Sequence, residues 1–324
     1  MVKRIFVLLF LTIFSIAFVN AQADDARLKE ITSQLKKDGE KWVKGGAMGL
    51  DLSQLALINP KVGAGENRLA FGAITSTFAN YKNDKISWEN LLSWQMAVQR
   101  LGASENPFTK NIDLLRFGTK ASYKLKGKWN GAIIGTFESL LLKTYNDNSL
   151  SSNDNNKLQA AFLSPATISL SPGIDYKYNE NLSIFLSPAS YKSILVMNDD
   201  IAKLGVHGNP WRSETDFDNM KNEMGANLIA VYKNTFAKKL GVSSNLNLFY
   251  DYFGEQGLDY VDVIFINNFS YEFIKGLSLN LLLDTRWDKD IKSITGYDNT
   301  GAEILEDNKW MITEALFIKY TKLF

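Results

Sequence analysis

Apolar and polar residues alternate in twos along unusually long stretches of this chain, and few folds can use strands of that kind. In Leu277–Trp287 the odd positions read Leu277, Leu279, Leu281, Leu283, Thr285 and Trp287, while the even ones read Ser278, Asn280, Leu282, Asp284 and Arg286. Just upstream, Val261, Val263, Phe265, Phe269, Tyr271 and Phe273 share one face, against Asp262, Asn268, Ser270 and Glu272 on the other. Leu246, Leu248, Tyr250 and Tyr252 oppose Asn245, Asn247 and Asp251; Leu115, Phe117, Ala121, Tyr123 and Leu125 oppose Arg116, Lys120, Ser122 and Lys124. Successive side chains of a strand point to opposite faces, so each segment carries one apolar and one polar surface. Soluble sandwiches alternate too, but their strands run about 5–6 residues. The longer segments here match the roughly 9–11 residues that a tilted strand needs to cross a bilayer.

About twelve such segments are expected, at 46–57, 68–81, 86–101, 111–125, 129–145, 166–178, 182–197, 226–239, 242–253, 260–274, 277–288 and 309–324. The connections alternate between long ones, such as 146–165, 198–225 and 289–308, and tight ones, such as Lys82–Lys85, Lys126–Lys128, Asn179–Asn181, Leu240-Gly241 and Lys275-Gly276. Short turns at one rim and longer loops at the other describe an up-and-down antiparallel transmembrane β-barrel with an even strand count and both termini on the short-turn, periplasmic side. Trp88, Trp129, Tyr145, Tyr252, Trp287 and Trp310 fall near segment ends, where amphipathic rings sit at membrane interfaces. Proline removes a ladder donor, so Pro165 is expected to start a strand, and Pro172 and Pro188 to mark bulges.

The two ends fit the same solvent. The final segment, Trp310–Phe324, resembles the last strand of bacterial outer-membrane barrels, whose terminal aromatic (here Phe324) is the signal read by the barrel insertion machinery. Met1–Arg4 is basic, Ile5–Val19 is apolar, and Val19-Asn20-Ala21 offers small residues to a signal peptidase; residues 1–21 read as a secretory signal. Residues 22–45 read as a periplasmic leader, with Leu28, Ile31 and Leu35 at helical spacing, and 46–324 as the barrel. A formal charge of +1 gives no reason to expect nucleic acid. One His and no Cys leave zinc and cysteine chemistry without ligands or nucleophile, and no cofactor is implied.

Trp42–Gly46, Ser53-Gln54-Leu55, Asn59 and Gly63–Asn67 resemble the opening of an uncharacterised Gram-negative outer-membrane family known as domain of unknown function 3078, although Pro60 and Ala64 depart from its pattern. Trp88-Glu89-Asn90, Phe162–Ala166, Asp175-Tyr176-Lys177 and Leu186-Ser187-Pro188 fit the same resemblance. It implies a barrel in the outer membrane and carries no activity or site.

The polar faces supply the candidate site. Asp262, Glu272, Asp284 and Arg286, with Asn268 and Asn280, are expected to line one sector of a lumen, and Arg116, Lys120, Lys124 and Glu138 another. Facing charges would either set ion preference or close the interior by pairing. The expected role is a narrow, porin-like passage for small polar solutes; the alternative is a non-conducting barrel whose external loops bind a ligand or partner of unknown identity. Outer-membrane lipid and lipopolysaccharide are its expected surroundings. A lipid hydrolase would need His207 as base, but that residue falls in a loop without a strand-mounted partner. Asp199, Asp200, Glu214, Asp216 and Asp218 lack calcium-loop spacing and read as solvated loop acids.

Overall fold

Long alternating segments leave their backbone groups unpaired unless every strand finds two neighbours, and in lipid only closure of the sheet provides that. The computed structural model describes residues 41–55, 68–102, 106–145, 148–152, 157–237, 239–254, 257, 260–287, 293–297, 303–306 and 310–323. Its barrel strands are β1 (Trp42–Leu55), β2 (Arg68–Lys82), β3 (Ile86–Leu101), β4 (Thr109–Lys124), β5 (Trp129–Ser139) and β6 (Ala166–Lys177), followed by β7 (Leu182–Leu195), β8 (Met220–Phe236), β9 (Leu240–Asp251), β10 (Val261–Ile274), β11 (Leu277–Trp287) and β12 (Met311–Leu323). Each pairs antiparallel with its sequence neighbour, and β12 returns to pair with β1, closing a barrel of twelve strands. Lengths run from 11 residues in β5 and β11 to 17 in β8. The expected secretory signal, most of the leader, the first long connection and Phe324 lie outside the described residues.

Exposed apolar side chains circle the outside: Leu50, Phe71, Leu92, Phe117, Ile133, Leu170, Leu186, Met224, Phe265, Leu279 and Ile318. A water-soluble protein does not expose a continuous apolar surface of that extent, so the barrel spans a membrane. Aromatic contacts mark both rims. At the tight-turn rim Trp42 packs on Tyr81 and Trp88, and Trp129 on Tyr176; at the long-loop rim Trp287 packs on Trp310 and Tyr250 on Tyr252. Tyr145, expected in such a girdle, is instead buried within a loop hairpin formed by Thr144–Tyr145 and Leu158–Ala160.

Three strand limits differ from expectation, each for a local reason. β1, expected from residue 46, begins at Trp42 because Trp42–Gly45 continue the ladder to Tyr81–Phe78. β8 begins at Met220, six residues before the alternation becomes clear. The obscuring residue is Asn222 on the outer face, which accepts from Tyr191 and Ser193 hydroxyls and so is no longer bare to lipid. β5 stops at Ser139 because Asp113 captures the main-chain N–H groups of Leu141 and Leu142 and draws the chain off the ladder. The tight turn expected at Leu240-Gly241 falls instead between Phe236 and Leu240, with Ala237 at φ 49°. In two other turns Asn83 and Asn179 accept from N–H groups two and three residues on, the same Asx device used twice.

One of the two prolines marks a bulge. β7 carries an extra residue at Pro188-Ala189 against both neighbours, so the β6–β7 register shifts between Leu170 and Ile174 and the β7–β8 register shifts between Gly225 and Asn227. Pro172, expected to mark a bulge of its own, instead keeps its place opposite Ile133 in an unbroken ladder with β5; its carbonyl accepts from the Ser187 hydroxyl of β7, so its missing N–H falls on the side where the register shifts. At the bulge Gly225 lies so close to β9 that an added Cβ would overlap the Tyr250 carbonyl. Gly225→Ala is therefore expected to destabilise the barrel by at least about 1–3 kcal/mol, because the obstacle is main chain that cannot rotate away. A lowered urea midpoint of the refolded protein, with weakened heat-modifiable migration, is the readout.

Candidate functional site: the barrel interior

The inward set follows from register. Val43, Gly45, Ala47 and Gly49 of β1 face in and are small, so larger side chains of the flanking strands reach over them. Phe78 and Leu91 pack on Val43 and Ala47. Ile74 of β2 meets Ile266 of β10 and the fully enclosed Leu282 of β11, with Ile264 beside them. β1 and β12 lie between those strands in the barrel, so this sector of the interior is filled by apolar side chains.

The opposite sector is open. One row of cross-strand partners runs Gly118, Thr136, Ser169, Lys192, Glu223 across β4 to β8. Thr136 faces in yet is exposed, bonded to the Ser169 hydroxyl at 2.6 Å. A Cβ added to Gly118 would meet nothing within 4 Å.

The charges expected on the inner faces are brought together in pairs rather than as separate basic and acidic sectors. Arg116 Nε donates to Glu138 Oε2 at 2.6 Å, and Arg286 holds Asp284 with NH2 at 2.8 Å. Glu138 also feels the charge of Arg286. Asp262 lies 3.3 Å from Lys192, whose Nζ is also 2.8 Å from Glu223; Lys221 completes the cluster at 2.7 Å from the other Glu223 oxygen. Lys120 sits 3.1 Å from Asp175, which is wholly enclosed. These pairs distribute by rim: Arg116, Glu138, Asp284, Arg286, Lys192, Glu223 and Asp262 lie toward the long-loop end of their strands, and Lys120 with Asp175 toward the turns. Nearer the turns, Lys124 is exposed beside the 125–128 turn, and Glu272 accepts from the Gly276 N–H at 2.6 Å, closing the β10–β11 turn.

Sequence reading missed Asp175, Lys192, Lys221 and Glu223. Lys192 keeps inward phase only if one extra residue is allowed at Pro188, Lys221 and Glu223 fall in a stretch read as loop, and Asp175 follows the regular alternation of Thr167, Ser169 and Ser171, a small polar face that does not stand out as a charged one.

Outside the lumen, two long loops pack into a cap above β5 to β8. The short helix α1 (Asp199–Ala202) is capped by Asn198 and buries Ile201 and Ala202 with Val196 against Leu158, Ala161 and Phe217. His207 belongs to this packing: its Nε2 contacts the Gln159 carbonyl at 2.7 Å, so the ring nitrogen serves a loop contact. The loop acids are ion-paired or hydrogen-bonded, Asp200 to Lys203, Asp216 and Asp218 to Arg212, Asp199 to Asn219, and no metal-binding cluster occurs among the described residues.

Burial pushes the His207 imidazole below its usual value of 6.5, the Gln159 carbonyl only partly offsetting it. The packed loops thus hold a neutral ring, whereas the opened loop protonates near 6.5. The cap is expected to be fully stable above that value and to loosen as pH falls through it toward the lower folded pKa. Limited proteolysis within 196–219 should be faster at about pH 5.5 than at about pH 7.5, and His207→Gln should remove the difference.

Residues 52–145 match the family described as "Protein of unknown function (DUF3078)". No curated protein matches the chain. Solved structures that resemble it include an outer-membrane channel from Pseudomonas putida F1, at 13% identity and TM-score 0.42, covering 89% of this chain and 100% of that one. The translocator domain of the autotransporter NalP from Neisseria meningitidis is 9% identical with TM-score 0.38, covering 93% and 95%. The Pseudomonas putida toluene transporter TodX is 10% identical with TM-score 0.35, covering 88% and 80%. At such identities no solute or activity passes from them to this chain. Of the residues that carry the resemblance, Ser53-Gln54-Leu55, Asn59, Gly63–Asn67 and Trp88-Glu89-Asn90 fall within that match, while Trp42–Gly46 and the segments from Phe162 onward lie outside it; over 52–145 the chain is similar to the DUF3078 family, and as a whole it folds as a twelve-stranded transmembrane barrel.

Proposed function

We propose that this barrel is a narrow passage for small polar solutes across the bacterial outer membrane, with its long loops outside and its turns and termini in the periplasm. The observation that carries the reading is the open row from Gly118 through Thr136 to Lys192 beside a sector already filled by Ile74, Ile266 and Leu282. Filling one side leaves a passage narrower than a twelve-stranded perimeter would otherwise enclose, and the pairing of the wall charges lowers the field that an entering solute meets. The refolded mature protein in a planar bilayer is expected to give small discrete conductance steps.

The cross-lumen packing of Ile74 on Ile266 and Leu282 favours a second reading, in which the interior is closed and the barrel presents its loop cap to partners. The same recording separates them. A folded barrel that is silent as wild type but conducts after Leu282→Ala would support the closed scaffold and sink the open passage.

A further inference from the structure

The wall of the passage sorts its polar groups by charge. Five basic side chains, Arg116, Lys120, Lys192, Lys221 and Arg286, each lie within 3.3 Å of one of five carboxylates, Glu138, Asp175, Glu223, Asp262 and Asp284. Ion pairing does not satisfy every atom, since among the described residues the Asp175 carboxylate and Glu223 Oε2 lack a hydrogen bond, but five neutral amides have no charged partner at all. Gln95, Asn227 and Asn268 are more than nine-tenths buried, Asn245 and Asn247 are half-buried, and each has a buried amide atom with no hydrogen-bond partner among the described residues. Enclosed polar atoms of native proteins are normally satisfied, so orphaned amides gathered on the inner faces of the neighbouring strands β8, β9 and β10 point to something that visits them.

Three of them form a file. Asn227 of β8 stands opposite Phe249, and on β9 Asn247 and Asn245 follow toward the turns, opposite Ile229 and Val231. Across β10 the next residues in are Ile264 and Ile266, with Asn268 beyond them opposite Leu282. The file therefore starts below the Glu223–Lys192 pair and descends along the edge between the open row and the apolar filling. A carboxamide both donates and accepts, as a hydroxyl does, so a hydroxylated solute can exchange partners from one Asn to the next. An ion gains less here: the five basic and five acidic side chains named above are already paired, and shedding water beside Ile264, Ile266 and Leu282 is costly for a charge.

We infer that the passage selects neutral, hydroxyl-rich solutes of about sugar size over ions, with Asn227, Asn245 and Asn247 as the ladder that handles them; this rests on the passage reading above. The test uses vesicles carrying the refolded mature barrel and measures uptake of labelled ribose and of labelled ribonate, which share a carbon skeleton and differ in charge. Ribose is expected to enter on the order of tenfold faster, because the amide file can replace the hydrogen bonds that its hydroxyls lose but not the hydration of a carboxylate. Asn245→Leu with Asn247→Leu should slow ribose by a similar factor and slow ribonate, which already enters poorly, distinctly less. Asn245→Ser with Asn247→Ser, which puts hydroxyls in place of the carboxamides, should restore most of the ribose rate, and heat-modifiable migration checks folding of all variants. Equal uptake of ribose and ribonate, or equal slowing of both by the leucine pair, would overturn the ladder while leaving a passage intact. Absence of uptake for either solute would overturn the passage itself.

Discussion

Gly118→Trp is expected to lower conductance and solute uptake by about tenfold, since side chains alone suffice to fill a barrel of about eight strands and one sector of this interior is already packed. The substitution should fold, because the Cβ points into space where nothing lies within 4 Å, and an indole in that place has Thr136 and Ser169 as its nearest row neighbours. Occlusion and misfolding are told apart by heat-modifiable migration, which should be unchanged. The contrast with Gly225, where the same added carbon strikes a carbonyl, makes the pair informative: one glycine keeps the lumen open, the other keeps two strands together.

Asp113→Ala is expected to be the most damaging single change in the wall. Asp113 lies on the outward set of β4 with its side chain fully enclosed, and it accepts from Trp94 Nε1, Lys110 Nζ and the main-chain N–H groups of Leu141 and Leu142. Lys110, only 4% exposed, would be left as a buried charge with the Leu142 carbonyl for company. Breaking such a pair on one side costs about 3–5 kcal/mol, whereas replacing both partners by apolar residues is often neutral. Lys110→Met combined with Asp113→Leu should therefore recover most of the urea resistance that Asp113→Ala loses. It should not recover the strap over the outer wall, since the Leu141 and Leu142 N–H groups lose their acceptor in both variants, and cleavage within the 140–165 connection should be faster in each.

Much of the architecture is legible without coordinates because a barrel strand carries its own instructions. The alternation in Leu277–Trp287 assigns Ser278, Asn280, Asp284 and Arg286 to the inside, and the tight turns at Asn83, Asn179 and Gly276 assign the near rim. Pro188 announces its bulge because a residue without N–H interrupts the ladder, whereas Pro172 stays in register with β5 and marks none of its own. What alternation does not carry is register across strands and contact across the lumen. Leu282 occupies a polar phase in the sequence, and only the neighbouring Ile74 and Ile266 show why an apolar residue belongs there. The same limit hid the pairing of Arg116 with Glu138 and of Lys192 with Glu223, where partners are far apart in the chain but adjacent on the wall. The strap held by Asp113 and the cap built on Val196, Ile201 and Ala202 come from irregular loops, whose contacts have no periodicity to read.

If the barrel is a passage, the open row through Gly118 is where it conducts. The natural chain has no cysteine, so Gly118→Cys introduces a unique thiol. Single-channel recording of this variant before and after a charged methanethiosulfonate reagent is the most direct measurement. The account predicts discrete steps that shrink or vanish on modification, with the unmodified wild type indifferent to the reagent. Steps that persist unchanged after complete modification would place the conducting path elsewhere and contradict it.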